Sequence, residues 1–282
     1  MNKYIFRPFS LFITFTFLLT FCVDAQYYYK DILSNIEQNK EFSILKDGKI
    51  KTIKVESFDE KDQPSNGFFC EKKINKDFSE SQMISKSNIT EQSLLETKYD
   101  KGGRVTETTT NTPTTTNTID FEYNSEGLLS LISTKTTGDV DSIGITETHQ
   151  YVYKNGKPEK MIRKVNGVLV STISFVADDK GNVIEEDAAG TSTDKKYYYY
   201  YDDQHRLTDV VHYNVVAKRL LPDYMFEYEN GSLPVQKISV DETARSYFIW
   251  RYAYNDKQLP EIQKCYSKAK DLLGTIQFDY LQ

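Results

Sequence analysis

The residues of this chain that could carry chemistry are few. Its histidines are His149, His205 and His212. None has the spacing of a metal-binding helix such as His-Glu-x-x-His. His205 falls in a turn segment and the other two in strand segments, so they read as solvated or packed side chains. Cys70 would need an adjacent His or a helix N-terminus to become a nucleophile, and Phe69 and Glu71 offer neither. A glycosidase needs two carboxylates facing each other across a sugar. The acid pairs here are Asp178-Asp179, Asp202-Asp203 and Glu185-Glu186; both Asp pairs sit in turn segments, where backbone bonding accounts for them, with a turn-bound calcium as the second reading. There is no Gly-x-Ser-x-Gly elbow, phosphate loop or dinucleotide fingerprint. The expectation is a chain without enzymatic activity, with no catalytic residue, no metal site and no cofactor.

The aromatic side chains are the other candidate. The chain holds 21 Tyr, 16 Phe and 1 Trp. Most must be core, because a sheet has to bury its apolar face. A planar ring left open can stack on a sugar, and an exposed apolar patch marks a binding surface. Trp250, Tyr252, Tyr254, Tyr199 and Tyr201 are the candidate binding residues. Alternation within Tyr197–Tyr201 sends some of these rings to each face of a strand.

These rings belong to a repeat: an aromatic, any residue, Tyr, then Asp or Asn, a turn, then Leu or Val. Its second aromatic position falls at Tyr99, Tyr123, Tyr153, Ala177, Tyr201, Tyr228, Tyr254 and Tyr280, spaced by 24, 30, 24, 24, 27, 26 and 26 residues. About 24 residues hold two strands and two turns, hence one hairpin. Asp or Asn can bond its own backbone two residues on, and Gly accepts positive φ. Ile119, Phe121 and Tyr123 share one strand face, and Asp120 and Glu122 the other, as in a half-buried antiparallel sheet. The predicted fold is all-β: an antiparallel up-and-down sheet of successive hairpins, about 14 to 16 strands, curled into a barrel-like or flattened sandwich form. A round barrel of that size is too wide for side chains to fill, so an elongated section or a cavity is expected.

Tyr99-Asp100, Tyr123-Asn124, Tyr201-Asp202 and Tyr254-Asn255, with Gly102, Gly127 and Gly181 at or near the turns, resemble the YD-repeat (RHS-type) family of bacterial surface and secreted proteins. The resemblance covers residues 91–282 and implies a curling strip of hairpins. Large family members wrap a shell around a toxin domain; seven repeats are too few for that. The Thr-rich composition and the leader are also similar to those of small envelope proteins of Bacteroidetes type.

Residues 1–25 read as a signal peptide: Lys3 and Arg7, an apolar run from Leu11 to Cys22, then Val23-Asp24-Ala25 before the cut. Residues 26–90 form an N-terminal segment, with a short helix at Asp31–Gln38 and a hairpin near 42–58 turning on Asp47-Gly48. Residues 72–92 show no clear period. Thr108–Thr118 reads as strand about a loop at Pro113, with O-glycosylation as the second reading there and at Asp141-Ser142-Ile143. Cys70 and Cys265 are the candidate disulfide of an exported chain. The net charge of −6, or −7 after cleavage, argues against nucleic acid and against an anionic membrane surface as partners, since both need clustered Lys and Arg, and no later segment is apolar enough for a transmembrane helix. The expected function is an exported binding or scaffold protein of the periplasm, cell surface or medium, recognising a glycan or an envelope protein. The alternative is an outer-membrane β-barrel channel or assembly protein.

Overall fold

The computed structural model describes residues 27–138, 144–189, 196–241 and 246–282. The leader, Cys22 and Asp141-Ser142-Ile143 lie outside them. Helix α1 (Tyr29–Asp47) precedes β1 (Thr52–Phe58), β2 (Phe69–Ile74), β3 (Glu80–Lys86), β4 (Ser93–Tyr99), β5 (Val105–Asn111), β6 (Thr115–Tyr123), β7 (Leu129–Gly138), β8 (Ile145–Lys154) and β9 (Lys157–Val165). The chain continues through β10 (Val168–Ala177), β11 (Val183–Ala189), β12 (Lys196–Tyr201), β13 (Leu207–Asn214), β14 (Arg219–Tyr228), β15 (Pro234–Asp241), β16 (Ser246–Tyr254), β17 (Pro260–Tyr266) and β18 (Leu272–Leu281). Every neighbouring pair is antiparallel, and β1 pairs with β18 from Thr52↔Leu281 to Phe58↔Thr275. The sheet is therefore a closed up-and-down barrel, which leaves no free edge.

The repeat turns line one rim. The Asp or Asn after each repeat tyrosine folds the chain back on itself: Oδ1 of Asn124 accepts the N–H groups of Glu126 and Leu128, and Asp178, Asp202 and Asn255 do the same two and four residues on. The residue three places after that Asp or Asn has positive φ: Gly103, Gly127 and Gly181, but also His205 at 64° and Gln258 at 63°. The tyrosine fixes the turn to its neighbour. Tyr123, Tyr153, Tyr201, Tyr228, Tyr254 and Tyr280 each donate their hydroxyl, at 2.6 to 2.9 Å, to a backbone carbonyl of the preceding repeat: Val105, Leu129, Val183, Leu207, Pro234 and Pro260. At Ala177 the hydroxyl is missing, and Lys157 Nζ bonds the carbonyl of Asp178 instead.

Three expectations are corrected. The hairpin near 42–58 is not formed: Phe42–Asp47 is the end of α1, which is longer than Asp31–Gln38 at both ends. Ile32, Asn35, Phe42 and Leu45 are buried at helical spacing, and this period overrides the Asp-Gly turn signal. Gly48 has φ −76°, not the positive angle a tight hairpin needs. Lys49 takes the left-handed position instead, with Lys49 N–H on Lys46 O and Ile50 N–H on Leu45 O, a helix stop sealed by buried Leu45 and Ile50. The division at residue 90 is not structural either, since β1, β2 and β3 complete the ring and raise it to eighteen strands. Finally, Cys70 and Cys265 are free buried thiols. β1 and β18 stand between their strands, so three strand spacings of about 4.8 Å separate them, well beyond disulfide reach.

A neutral hydroxyl–carbonyl bond contributes roughly 1 kcal/mol. Tyr153→Phe is therefore expected to lower the unfolding free energy by about that much in urea titration. Tyr200→Phe, whose ring stands on the outer wall, should change nothing measurable.

Candidate functional site: the barrel lumen

The inner wall is largely aromatic; the outer wall is charged over β1–β6 and exposes Val176, Ile184, Tyr200, Tyr213 and Met225 over β10–β14. Phe121, Tyr151, Phe175, Tyr197, Tyr199 and Ile276 belong to one continuous buried core. Outside, Gln82 bonds Glu96, Lys98 pairs with Glu107, and Asp120 and Glu122 are exposed at the middle of the wall.

Helix α1 lies inside this core near the rim of repeat turns. Its first turn has no capping side chain of its own. Glu186 of β11, 1 % exposed, supplies the cap: its carboxylate accepts the N–H of Tyr28 at 2.8 Å and of Tyr29 at 2.9 Å, and the hydroxyl of Tyr199 at 2.7 Å. A carboxylate at a helix N-terminus also meets the positive end of the macrodipole. Burial raises the Glu186 pKa to about 7 against the lowering effect of those bonds. One turn on, Asp31 accepts from Tyr151 Oη at 2.8 Å and meets His149 Nδ1 at 2.7 Å. His149 Nε2 meets Glu147 at 2.7 Å, and Glu147 takes a two-pronged contact from Arg163. Burial alone would lower the His149 pKa; its two carboxylate partners outweigh it and raise the value to about 9. Glu147 is driven the other way, to about 2, because hydrogen bonds from His149 and Arg163 outweigh its burial. Towards its C-terminus the helix leans on β4, β5 and β6: Asn35 donates to Tyr123 Oη, Asn39 accepts the N–H of Val105, and Phe42 stacks on Tyr99 at 3.4 Å.

Beside the helix is a cavity of about 360 Å³. Trp250, Phe248, Phe278, Phe121, Ile119 and Met83 give it apolar walls, and Gln38 and Glu41 of α1 form part of its floor. It extends away from the helix to Thr110, Asn117 and Ser239. Lys72 and Lys237 also line it. Burial raises the Glu41 pKa against the pull of Lys72, while Lys72 is itself raised because Tyr99 and Glu41 outweigh its burial. Lys237 is lowered by burial, with Glu37 opposing. The lumen is thus a largely aromatic space with charges of both signs on its wall.

Of the candidate binding residues, Trp250 and Tyr252 line this cavity. Tyr254 and Tyr201 are held by their carbonyl bonds, and Tyr199 is 2 % exposed and committed to Glu186. The aromatic face is real but enclosed, so it is not an open strip; within Tyr197–Tyr201 the outward rings are Tyr198 and Tyr200, and Phe69 and Tyr213 are exposed elsewhere on the wall. His149 and His212 are in strands and His205 in a turn, as expected, and the Asp pairs are in turns. Sequence reasoning met Glu186 only as half of an acid pair and Asp31 only as a helix start, gave Glu147 no role, and no local motif announces their contacts. Among the described residues no group of three or more His, Cys, Asp or Glu could hold a metal. Burial pushes the Cys70 thiol up to about 11 and the Cys265 thiol to about 12, which leaves both unreactive at neutral pH. No described helix is long and apolar enough to cross a membrane.

The His149 pKa, raised above its unfolded value, means that the folded state holds a proton the unfolded state has lost. That stability is full below about pH 6.5 and is lost as pH rises towards 9. The expected outcome is a melting temperature that falls across this window, by up to roughly 3 kcal/mol of stability, and a much flatter profile in His149→Gln.

No family model matches the chain, and no curated protein matches it. Among solved structures, a porin-like protein from Bacteroides uniformis is similar at 10 % identity and TM-score 0.42, over 82 % of this chain and 98 % of that one. A chain of the TcdB2-TccC3-Cdc42 complex is similar at 9 % identity and TM-score 0.22, over 84 % of this chain and 17 % of that one. At these scores the fold assignment rests on the strand pairing itself.

Proposed function

We propose that this is an exported, non-enzymatic β-barrel of the cell envelope that binds an elongated amphiphilic molecule in its lumen. One observation carries the reading: the barrel encloses a cavity of about 360 Å³ whose largely aromatic wall also carries Lys72, Lys237 and Glu41. A lumen of this kind takes the apolar body of a ligand against Trp250, Phe248 and Phe278, and its charged end near Lys72, Lys237 and Glu41. The carbonyl-bonded tyrosines and the Asp/Asn turns support a YD-type repeat as the origin of the wall.

A second reading, the outer-membrane channel or assembly protein, is favoured by closure and by strand number, since single-chain bacterial barrels have even counts that include eighteen. It requires an apolar outer band; the wall of β1–β6 carries Lys54, Glu71, Glu96, Lys98, Glu107 and Asp120, whereas that of β10–β14 exposes Val176, Ile184, Tyr200, Tyr213 and Met225.

Trp250 is the sole tryptophan, so it reports on the cavity directly. Titration of a dansyl-labelled fatty acid into the exported chain, free of detergent, is expected to give saturable energy transfer from Trp250. Trp250→Phe should abolish transfer while keeping the probe's own saturable emission change. A soluble, folded protein with no saturable signal would sink the lumen reading. A protein that stays monodisperse only in detergent would favour the channel.

A further inference from the structure

The two rims of the barrel differ. One carries the repeat turns and α1. The other, towards which the cavity extends, carries hairpin tips of a different kind. Between β9 and β10 the chain turns on Asn166-Gly167, both at positive φ, and the next residues are Val168 and Leu169, 68 % and 58 % exposed. Between β13 and β14 the turn itself contains Val215 and Val216, 73 % and 95 % exposed, followed by exposed Leu220. Turns ordinarily use Gly, Asn, Asp, Pro or Ser. Valine at the apex satisfies no backbone requirement and is unfavourable in water. Basic residues flank these tips, Lys164 on one and Lys218 and Arg219 on the other, and neither tip, 164–171 or 213–221, contains an acidic residue. Across the ring, the β1–β2 loop of the same rim holds exposed Glu60 and Asp62.

We infer that the β9–β10 and β13–β14 tips of this rim dock on the surface of a phospholipid bilayer. Val168, Leu169, Val215 and Val216 enter the interface between head groups and acyl chains, while Lys164, Lys218 and Arg219 meet the phosphates. The arrangement follows the physics of interfacial binding, in which apolar groups are buried to a shallow depth and flanking cations add attraction. The acidic β1–β2 loop tilts the barrel so that only one arc touches. The inference is independent of what occupies the lumen, since an empty barrel would dock equally well; combined with the proposed function, it turns the end of the cavity at Thr110, Asn117 and Ser239 towards a source of amphiphiles.

The test is flotation of the exported chain with vesicles of phosphatidylcholine, alone and mixed with phosphatidylglycerol. The unaltered protein is expected to float with the vesicles, more strongly with the anionic mixture. The double substitution Leu169→Asp with Val216→Asp falls at exposed positions, the start of β10 and the β13–β14 turn, and should leave the melting temperature unchanged, yet reduce the bound fraction by about tenfold or more. Val176→Asp, on the exposed outer wall away from this rim, should float as the unaltered protein does. Failure of the unaltered protein to float with either vesicle would overturn the inference and leave the lumen titration untouched. Release by Val176→Asp but not by the tip substitutions would also overturn it, since the wall would then be what meets lipid. So would a vesicle-free dimer that the tip substitutions dissociate, which would assign the tips to a second copy of the chain.

Discussion

A ring of eighteen strands encloses more space than its own side chains can fill, and the rest of this structure depends on how that space is occupied. The answer is a helix, a lining of aromatic side chains and a residual cavity. A helix placed inside a barrel brings its own difficulty, because its first N–H groups and its charges leave water. Glu186 answers the first by accepting from Tyr28 and Tyr29. The alternating chain Asp31–His149–Glu147–Arg163 answers the second, since each charge lies beside one of opposite sign. These groups hold one end of α1 to β8 and β11, while Phe42 and Tyr99 hold the other to β4.

The repeat tyrosine serves this same constraint. Its ring fills lumen volume, and its hydroxyl reaches back to the carbonyl of the preceding repeat, so one side chain packs the interior and sets the register between adjacent hairpins. Phenylalanine would supply the volume without the bond. The Asp or Asn that follows it takes over the turn, which relaxes the demand for glycine three residues later. With the same Asx bonds in place, the left-handed position is held by Gly127 and Gly181 in two turns and by His205 and Gln258 in two others.

The parts legible in the sequence are those whose causes are local. Two-residue alternation placed Phe121 and Tyr123 inward and Asp120 and Glu122 outward, and Asp178, Asp202 and Asn255 announced their turns. The parts that were illegible depend on distant partners. Asp31 and His149 are 118 residues apart, and nothing near either position foretells their contact. The 42–50 segment misled because two local signals conflict there: Asp47-Gly48 is a strong hairpin dipeptide, but Ile32, Asn35, Phe42 and Leu45 impose a helical face that only the barrel interior makes decisive. Residues 72–92 looked aperiodic because β2 and β3 place Lys72 and Ser81 on the inner wall, which blurs the alternation of apolar and polar positions. The disulfide expectation failed on closure. Cys70 and Cys265 are near neighbours around the ring by strand count, yet the β1–β18 seam lies between them.

The division of labour between the two rims follows from the same argument. The repeat-turn rim is fixed by recurring bonds: an Asx acceptor, a left-handed residue and a tyrosine hydroxyl. Each turn there is tied to the next, and α1 rests against that end, so its residues are already committed to structure. Among the described residues, the opposite rim carries no such recurring unit. Its loops run from Asn166-Gly167 to the Thr112–Thr115 turn and the valine-tipped turn after Asn214, each with its own chemistry. Where the backbone does not dictate the side chain, residues such as Val216 at an apex need another cause, and a surface that removes them from water supplies it.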